Sequence, residues 1–158
     1  MSDYDFIKMQ KKLAKYLDEN RYEHTLGVMF TCASLAMVHG YDLKNAQVAG
    51  LLHDSAKCIP NKKKLKICEE HHIPVSDFEK EHPFLLHAKL GAYIAKAKYN
   101  VTDKEILSAI TYHTTGKPDM TMLEKIVYIA DYIEPARNKA PRLTEIRRLA
   151  FEDLDECM

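Results

Sequence analysis

His53 and Asp54 stand side by side behind an apolar run, Ala49-Gly50-Leu51-Leu52, in a stretch that reads as helix through Lys57. Burying a carboxylate in such a place costs several kcal/mol or more unless it is paired or holds a cation. Neighbours on a helix point roughly 100° apart, so the pair cannot stack on one face. The two side chains can converge on a cation held between this helix and others. The bland alternative is a helix-terminal pair with both side chains in water. The other histidines decide between the two.

Those histidines sit on helices. The 158 residues hold only five glycines and six prolines, no tryptophan and long periodic segments, which predicts one all-α, single-domain helical bundle over residues 1–158. Asp3 or Ser2 can cap a first helix running to about Asn20, with Phe6, Leu13, Tyr16 and Leu17 inward. A second helix runs from Arg21 to Val38, where His39-Gly40 stops it, and His24 leads its inward stripe of Val28, Thr31 and Leu35. Asp42 caps a third, Leu43 to about Cys58, which carries His53 and Asp54 and ends before Pro60.

Asn61 opens a short basic helix whose Lys62, Lys63, Lys64 and Lys66 read as a solvated face. Ser76-Asp77-Phe78-Glu79, Thr102-Asp103-Lys104-Glu105 and Thr121-Met122-Leu123-Glu124 have the spacing of capping boxes. A helix from Phe84 to about Tyr99 lines up His87, Leu90, Gly91 and Ile94. The next turns Ile106, Leu107, Ile110 and His113 inward, and Thr114-Thr115-Gly116-Lys117-Pro118 breaks it. Ile126 to Ile133, the most apolar helix, contains Asp131 and closes before Pro135. A last amphipathic helix spans about Thr144 to Asp155, and no internal repeat or linker divides the chain.

Lys+Arg and Asp+Glu are both 23, a balance that argues against a general nucleic-acid binder. Cys32, Cys58, Cys68 and Cys157 form no C-x-x-C pair, which argues against both a disulfide framework and a thiolate zinc site and suits a reducing cytosol. Met1-Ser2-Asp3-Tyr4-Asp5 lacks the basic start of a signal peptide, and no apolar run approaches the roughly 18 residues of a membrane span. The expectation is a soluble cytoplasmic protein with no membrane or nucleic-acid partner.

His24, His53-Asp54, His87, His113 and Asp131 fall on the apolar sides, or at the ends, of five separate predicted helices. One core histidine per helix is ordinary; five helices each offering a nitrogen or oxygen ligand is not. Asp131 is the sharpest case, since an uncompensated carboxylate among Ile126 to Ile133 is strongly destabilising; a cation or a Lys or Arg partner must answer it. Imidazole and carboxylate without thiolate suit iron, manganese, zinc or cobalt rather than calcium. Six ligands exceed what one open site needs and are enough for two ions sharing Asp54. Two ions about 3.5–4 Å apart can hold a bridging hydroxide and clamp phosphoryl oxygens, which suggests a phosphoester or phosphoanhydride hydrolase.

The order His24, His53-Asp54, Asp131 resembles the H…HD…D signature of HD-domain metal-dependent phosphohydrolases, with His87 and His113 similar to the extra pair of two-metal members. The strings Arg21-Tyr22-Glu23-His24-Thr25, His53-Asp54-Ser55-Ala56-Lys57, Tyr112-His113-Thr114-Thr115-Gly116 and Ala130-Asp131-Tyr132-Ile133-Glu134-Pro135 resemble, more narrowly, the YqeK-type symmetrical bis(5′-nucleosyl)-tetraphosphatases of bacteria. That resemblance implies an HD-domain bundle with two ions, iron before manganese or zinc, that splits diadenosine tetraphosphate into two ADP by attack of a metal-bridging hydroxide.

It implies one metal on His24, His53, Asp54 and Asp131 and another on Asp54, His87 and His113. Asp54, Lys57 and Arg137 would carry catalysis, and His24, Lys57, His87, His113, Thr114 and Arg137 would meet the substrate. Physically, Lys57 lies at i+4 from His53 and can extend toward a phosphate, and Arg137 can offer a bidentate fork. Arg21 is a weaker candidate of the same kind. The small-molecule nucleotide is the one partner implied; the oligomeric state stays open, a homodimer among the options. Family members usually continue past the point matching Met158 with a helical segment that helps close the nucleotide pocket, which implies a shortened or more open form here. Rival readings keep the metals with a deoxynucleoside triphosphate or cyclic dinucleotide as substrate, or make the chain a weakly active nucleotide-binding regulatory module.

Overall fold

What ends each helix decides where the site residues stand. The computed structural model describes residues 3–158, and no strand occurs among the described residues. Helix α1 (Phe6–Ala14) starts on Asp5, whose carboxylate accepts the Lys8 amide at 3.0 Å; Asp3 is not the cap, and Ser2 lies outside the described residues. It stops well short of Asn20, because Asp18 turns extended to cap α2 (Glu19–His39), accepting the Arg21 amide at 2.8 Å. Leu13 on this shorter helix and Leu17 just beyond it are buried, but Tyr16 is exposed, against expectation. Gly40 ends α2 in the left-handed region (φ 69°), where a side chain is strained.

Helix α3 (Leu43–Leu52), capped by Asp42, packs closely along α2. Gly50 makes the approach: a Cβ there would lie 2.9 Å from the Cys32 sulfur and 3.0 Å from the Met29 Cα. Helix α4 (Asn61–Glu70) follows Pro60, and α5 (Asp77–Glu81) carries the reciprocal Ser76–Glu79 capping box. A 3₁₀ turn (Pro83–Leu85) leads into α6 (Leu86–Tyr99), and α7 (Lys104–Thr111) starts on Asp103. Asp103 displaces the predicted Thr102 cap because its Oδ1 takes both the Glu105 and Ile106 amides, at 2.8 and 3.1 Å.

Helix α8 (Met122–Ile133) does keep its Thr121–Glu124 box and packs against α2, α3 and α7. Val28, Leu35, Leu51, Leu52, Ile106, Ile110 and Ile126 meet there without solvent contact, and Ala56, Cys68, Leu86 and Leu90 form a smaller core beside α4 and α6. The predicted last helix is two, α9 (Leu143–Ala150) and α10 (Leu154–Cys157), since Asp153 goes extended to accept the Asp155 and Glu156 amides. All four cysteines are free, and no described helix is long and apolar enough to cross a membrane.

One lysine overturns the expected solvated face. Lys64 is 3% exposed, its ammonium meeting only the Asn61 side chain at 3.4 Å. It lies one turn before buried Cys68 on the inward side of α4, where its neighbours Lys62, Lys63 and Lys66 do not.

Candidate metal centre

Helix α3 was expected to run to Cys58, yet it ends at Leu52, and His53 is the reason. Its Nδ1 lies 2.7 Å from the Gly50 carbonyl, the group a continuing helix would give to the Asp54 amide. Residues 53–59 then wind as tight turns, with the Ser55, Lys57 and Ile59 amides bonding carbonyls three residues back. His113 does the same after α7, its Nδ1 2.7 Å from Ile110 O, and His87 at the start of α6 holds Phe84 O at 2.7 Å. Each ring is thus anchored at Nδ1 by its own local backbone. Each leaves Nε2 free to face inward.

Those nitrogens meet two carboxylates. His87 Nε2 and His113 Nε2 lie 3.5 and 3.3 Å from Asp54 Oδ1, and 3.2 Å from one another. His53 Nε2 and His24 Nε2 lie 3.3 and 3.7 Å from the other oxygen, Asp54 Oδ2. Asp131 Oδ1 closes that second group, 2.9 Å from His24 Nε2 and 3.6 Å from His53 Nε2. All six predicted ligands therefore come together, with Asp54 between two sets. Two overlapping trios, His24–His53–Asp131 and His53–Asp54–His113, each have donor atoms within 4.8 Å of one another.

The charges are strongly coupled. Burial alone would disfavour a charged His53, but the Asp54 and Asp131 carboxylates outweigh it and push this imidazole up to about 10. Burial likewise opposes charge on Asp54, and the His53 and His113 rings hold it well below the usual carboxylate range. Asp131 is held below that range too, by His24 and His53 against the cost of burial. His87 goes the other way: burial first, then the neighbouring His113, push it down to about 4. The neutral His87 and the two ionised carboxylates favour a cation, whereas the proton on His53 must leave when one binds.

Of the residues expected at the substrate, His24 and Arg137 line an open cleft, while His87 and His113 are buried behind it. That cleft, of about 700 Å³, is lined by Asp18, Arg21, His24, Glu134 and Arg137 among others. Arg137 approaches Asp131 Oδ1 at 3.7 Å with Nη2 while its Nε donates to the Asp131 carbonyl at 3.2 Å. Asp131 is accordingly less enclosed than expected, with a quarter of its side chain exposed. Arg21 donates to Asp54 Oδ2 at 2.9 Å, a closer approach than its sequence context suggested. Both guanidiniums reach these carboxylates from positions that line the cleft.

Thr114 Oγ1 is 3.3 Å from His87 Nε2. Lys57 is half-buried but not one helical turn from His53, because the helix has already ended; its ammonium adds to the lowering of His87. Sequence reasoning missed two residues here. Glu134, 2% exposed, lies 3.5 Å from His24 Nδ1, and Arg147 on α9 donates to the Ile133, Glu134 and Arg137 carbonyls at 2.9, 3.0 and 2.7 Å. The Glu134-Pro135 step was a visible signal; the partner on α2, over a hundred residues earlier, was not.

Two observations fit this donor set to a metal. His53 Nε2 is buried without a hydrogen-bond partner although it lies 3.3 and 3.6 Å from two carboxylate oxygens, and a polar atom left unpaired in the interior is costly. The four rings also present the same nitrogen toward the Asp54 carboxylate, two to each oxygen, in a set without thiolate that iron, manganese and zinc accept.

The HD domain family model matches residues 21–136, the span that carries all six of these side chains, and the chain belongs to the HD domain family. Among its relatives is the symmetrical bis(5′-nucleosyl)-tetraphosphatase of Bacillus subtilis, 44% identical over 90% of this chain and 75% of that protein. The protein of the same name from Halalkalibacterium halodurans is 39% identical over 89% of this chain and 74% of its own. A crystal structure of a predicted HD superfamily hydrolase involved in NAD metabolism from Clostridium acetobutylicum matches with a TM-score of 0.92 at 40% identity, over 99% of this chain and 82% of that one.

Proposed function

We propose that this chain is a metal-dependent hydrolase that cleaves diadenosine tetraphosphate symmetrically into two ADP. The convergence of four Nε2 atoms and two carboxylates from five parts of the fold carries the reading, and the relatives' name supplies the substrate. In this reading His24, His53, Asp54 and Asp131 hold one ion and Asp54, His87 and His113 the other, with iron the first choice and manganese or zinc acceptable. Bound there, two ions would lower the pKa of water and neutralise charge on the phosphoryl oxygens.

The chain's own residues do the rest. Arg137 and Arg21 face the cleft beside the two carboxylates, where a guanidinium can bind phosphoryl oxygens bidentately. The Thr114 hydroxyl lies beside His87 and the Lys57 ammonium is near enough to lower that ring's pKa, so further positive and hydrogen-bonding groups are available to a polyphosphate. Water adds to one central phosphorus, the bond from that phosphorus to the central bridging oxygen breaks, and ADP leaves as a stable anion. No side-chain nucleophile and no covalent intermediate are needed.

Hydrolysis in ¹⁸O-labelled water, with the products separated, tests this. The reading expects ADP alone, with label in half of it; AMP plus ATP would reject symmetrical cleavage.

A further inference from the structure

Three of the four imidazoles are anchored at Nδ1 by a carbonyl three residues earlier, and His24 is the exception. It sits inside the continuous helix α2, where the preceding carbonyls are engaged by helical amides. Its Nδ1 faces a carboxylate instead, Glu134 Oε1 at 3.5 Å, delivered from the C-terminal end of α8. Glu134 is almost wholly buried, and its second oxygen, Oε2, has no hydrogen-bond partner. Arg147 does not neutralise it, for that guanidinium is spent on backbone carbonyls.

The space for this carboxylate comes from α2 itself. A Cβ on Gly27 would lie 2.2 Å from Glu134 Oε2 and 3.3 Å from its carboxyl carbon. A bare position one turn beyond His24 thus admits a buried acid against the most exposed of the four rings. Burying such a group is unfavourable on its own, so its use must lie in what it does to His24.

We infer that Glu134 is a positioning residue that accepts the Nδ1 proton of His24, fixing which nitrogen faces Asp131 and raising that nitrogen's basicity toward a cation. A carboxylate behind a metal-ligating histidine does both, and losing one typically weakens metal binding about 10–100-fold. The inference rests on the metal-centre reading above.

The test is Zn²⁺ binding to metal-stripped full-length protein, measured against a competing chelator, with urea midpoints of the metal-free proteins alongside. Wild type binds Zn²⁺. Glu134→Gln weakens the His24-containing site by about tenfold or more without lowering the urea midpoint. Gly27→Ala, which keeps the acid but displaces its carboxylate, gives the same loss, and the double variant is no worse than the stronger single one. In a His24→Ala background Glu134→Gln changes nothing further.

Wild-type affinity in folded Glu134→Gln, or in folded Gly27→Ala, overturns the inference while leaving the metal centre standing. So does an undiminished Glu134→Gln effect without His24, and should Glu134→Gln not fold, Gly27→Ala alone decides. Failure of wild type to bind Zn²⁺ sinks the metal-centre reading and the inference together.

Discussion

Lys64 brings an ammonium into the protein interior with one weak partner, the Asn61 side chain. Burial and the nearby Lys57 lower its pKa from the usual lysine value of 10.5. A lysine depressed on folding opposes folding while it must stay charged, and the opposition eases as pH rises toward the unfolded value. Lys64→Met should therefore stabilise the protein, by about 1 kcal/mol at pH 7, with the gain shrinking toward pH 10.5; urea midpoints across that range measure it. The run Asn61-Lys62-Lys63-Lys64-Leu65-Lys66 hid this residue because charge alone was read there, whereas burial follows the helix face shared with Cys68. His53, His87 and His113 were legible for the opposite reason: each is placed by its own backbone, three residues away, so local sequence suffices. Glu134 was not, since its meaning depends on His24 and Gly27 from another helix.

Helices α5 and α9 do their work through ends and junctions. Glu79 completes the α5 capping box and also receives Lys89 of α6 at 2.7 Å. Burial would raise its pKa, but Lys89 and Ser76 together hold it below 4.5. The stability it adds is present above that value and is lost as pH falls through the folded pKa. Glu79→Gln should cost about 1 kcal/mol at pH 7 and nothing at a pH low enough to protonate the wild-type acid, as thermal melts at the two pH values would reveal.

Arg147 gathers three carbonyls of the Ile133–Arg137 segment. Arg147→Met should cost about 2–3 kcal/mol and raise KM more than it lowers kcat, because Arg137 loses its seat. The helix boundaries that sequence periodicity placed wrongly, after Ala14, Leu52 and Ala150, are all points where a side chain takes over a backbone group. Periodicity reports faces and is blind to such substitutions. The all-helical class and the inward sides of α2, α6 and α8 were legible from the apolar spacing alone.

Over the whole molecule, five segments hold acidic and imidazole groups in a space that none could occupy alone. His53 illustrates the consequence for folding. Its imidazole gains a proton on folding without metal, its pKa going from 6.5 to about 10, so this contribution is full below pH 6.5 and is lost as pH rises to about 10. Chelator-stripped protein should show urea midpoints that fall across that window. A cation must expel the same proton, so metal affinity should strengthen about tenfold per pH unit there, a trend that chelator competition at several pH values would read.

The most direct test of the metal centre is anomalous diffraction from crystals of protein purified and loaded with metal under nitrogen. Two peaks about 3.5–4 Å apart, one against His24, His53 and Asp131 and the other against His87 and His113, with Asp54 touching both, are the expected result. No peak at Asp54, or a lone ion that His53 does not touch, would contradict it.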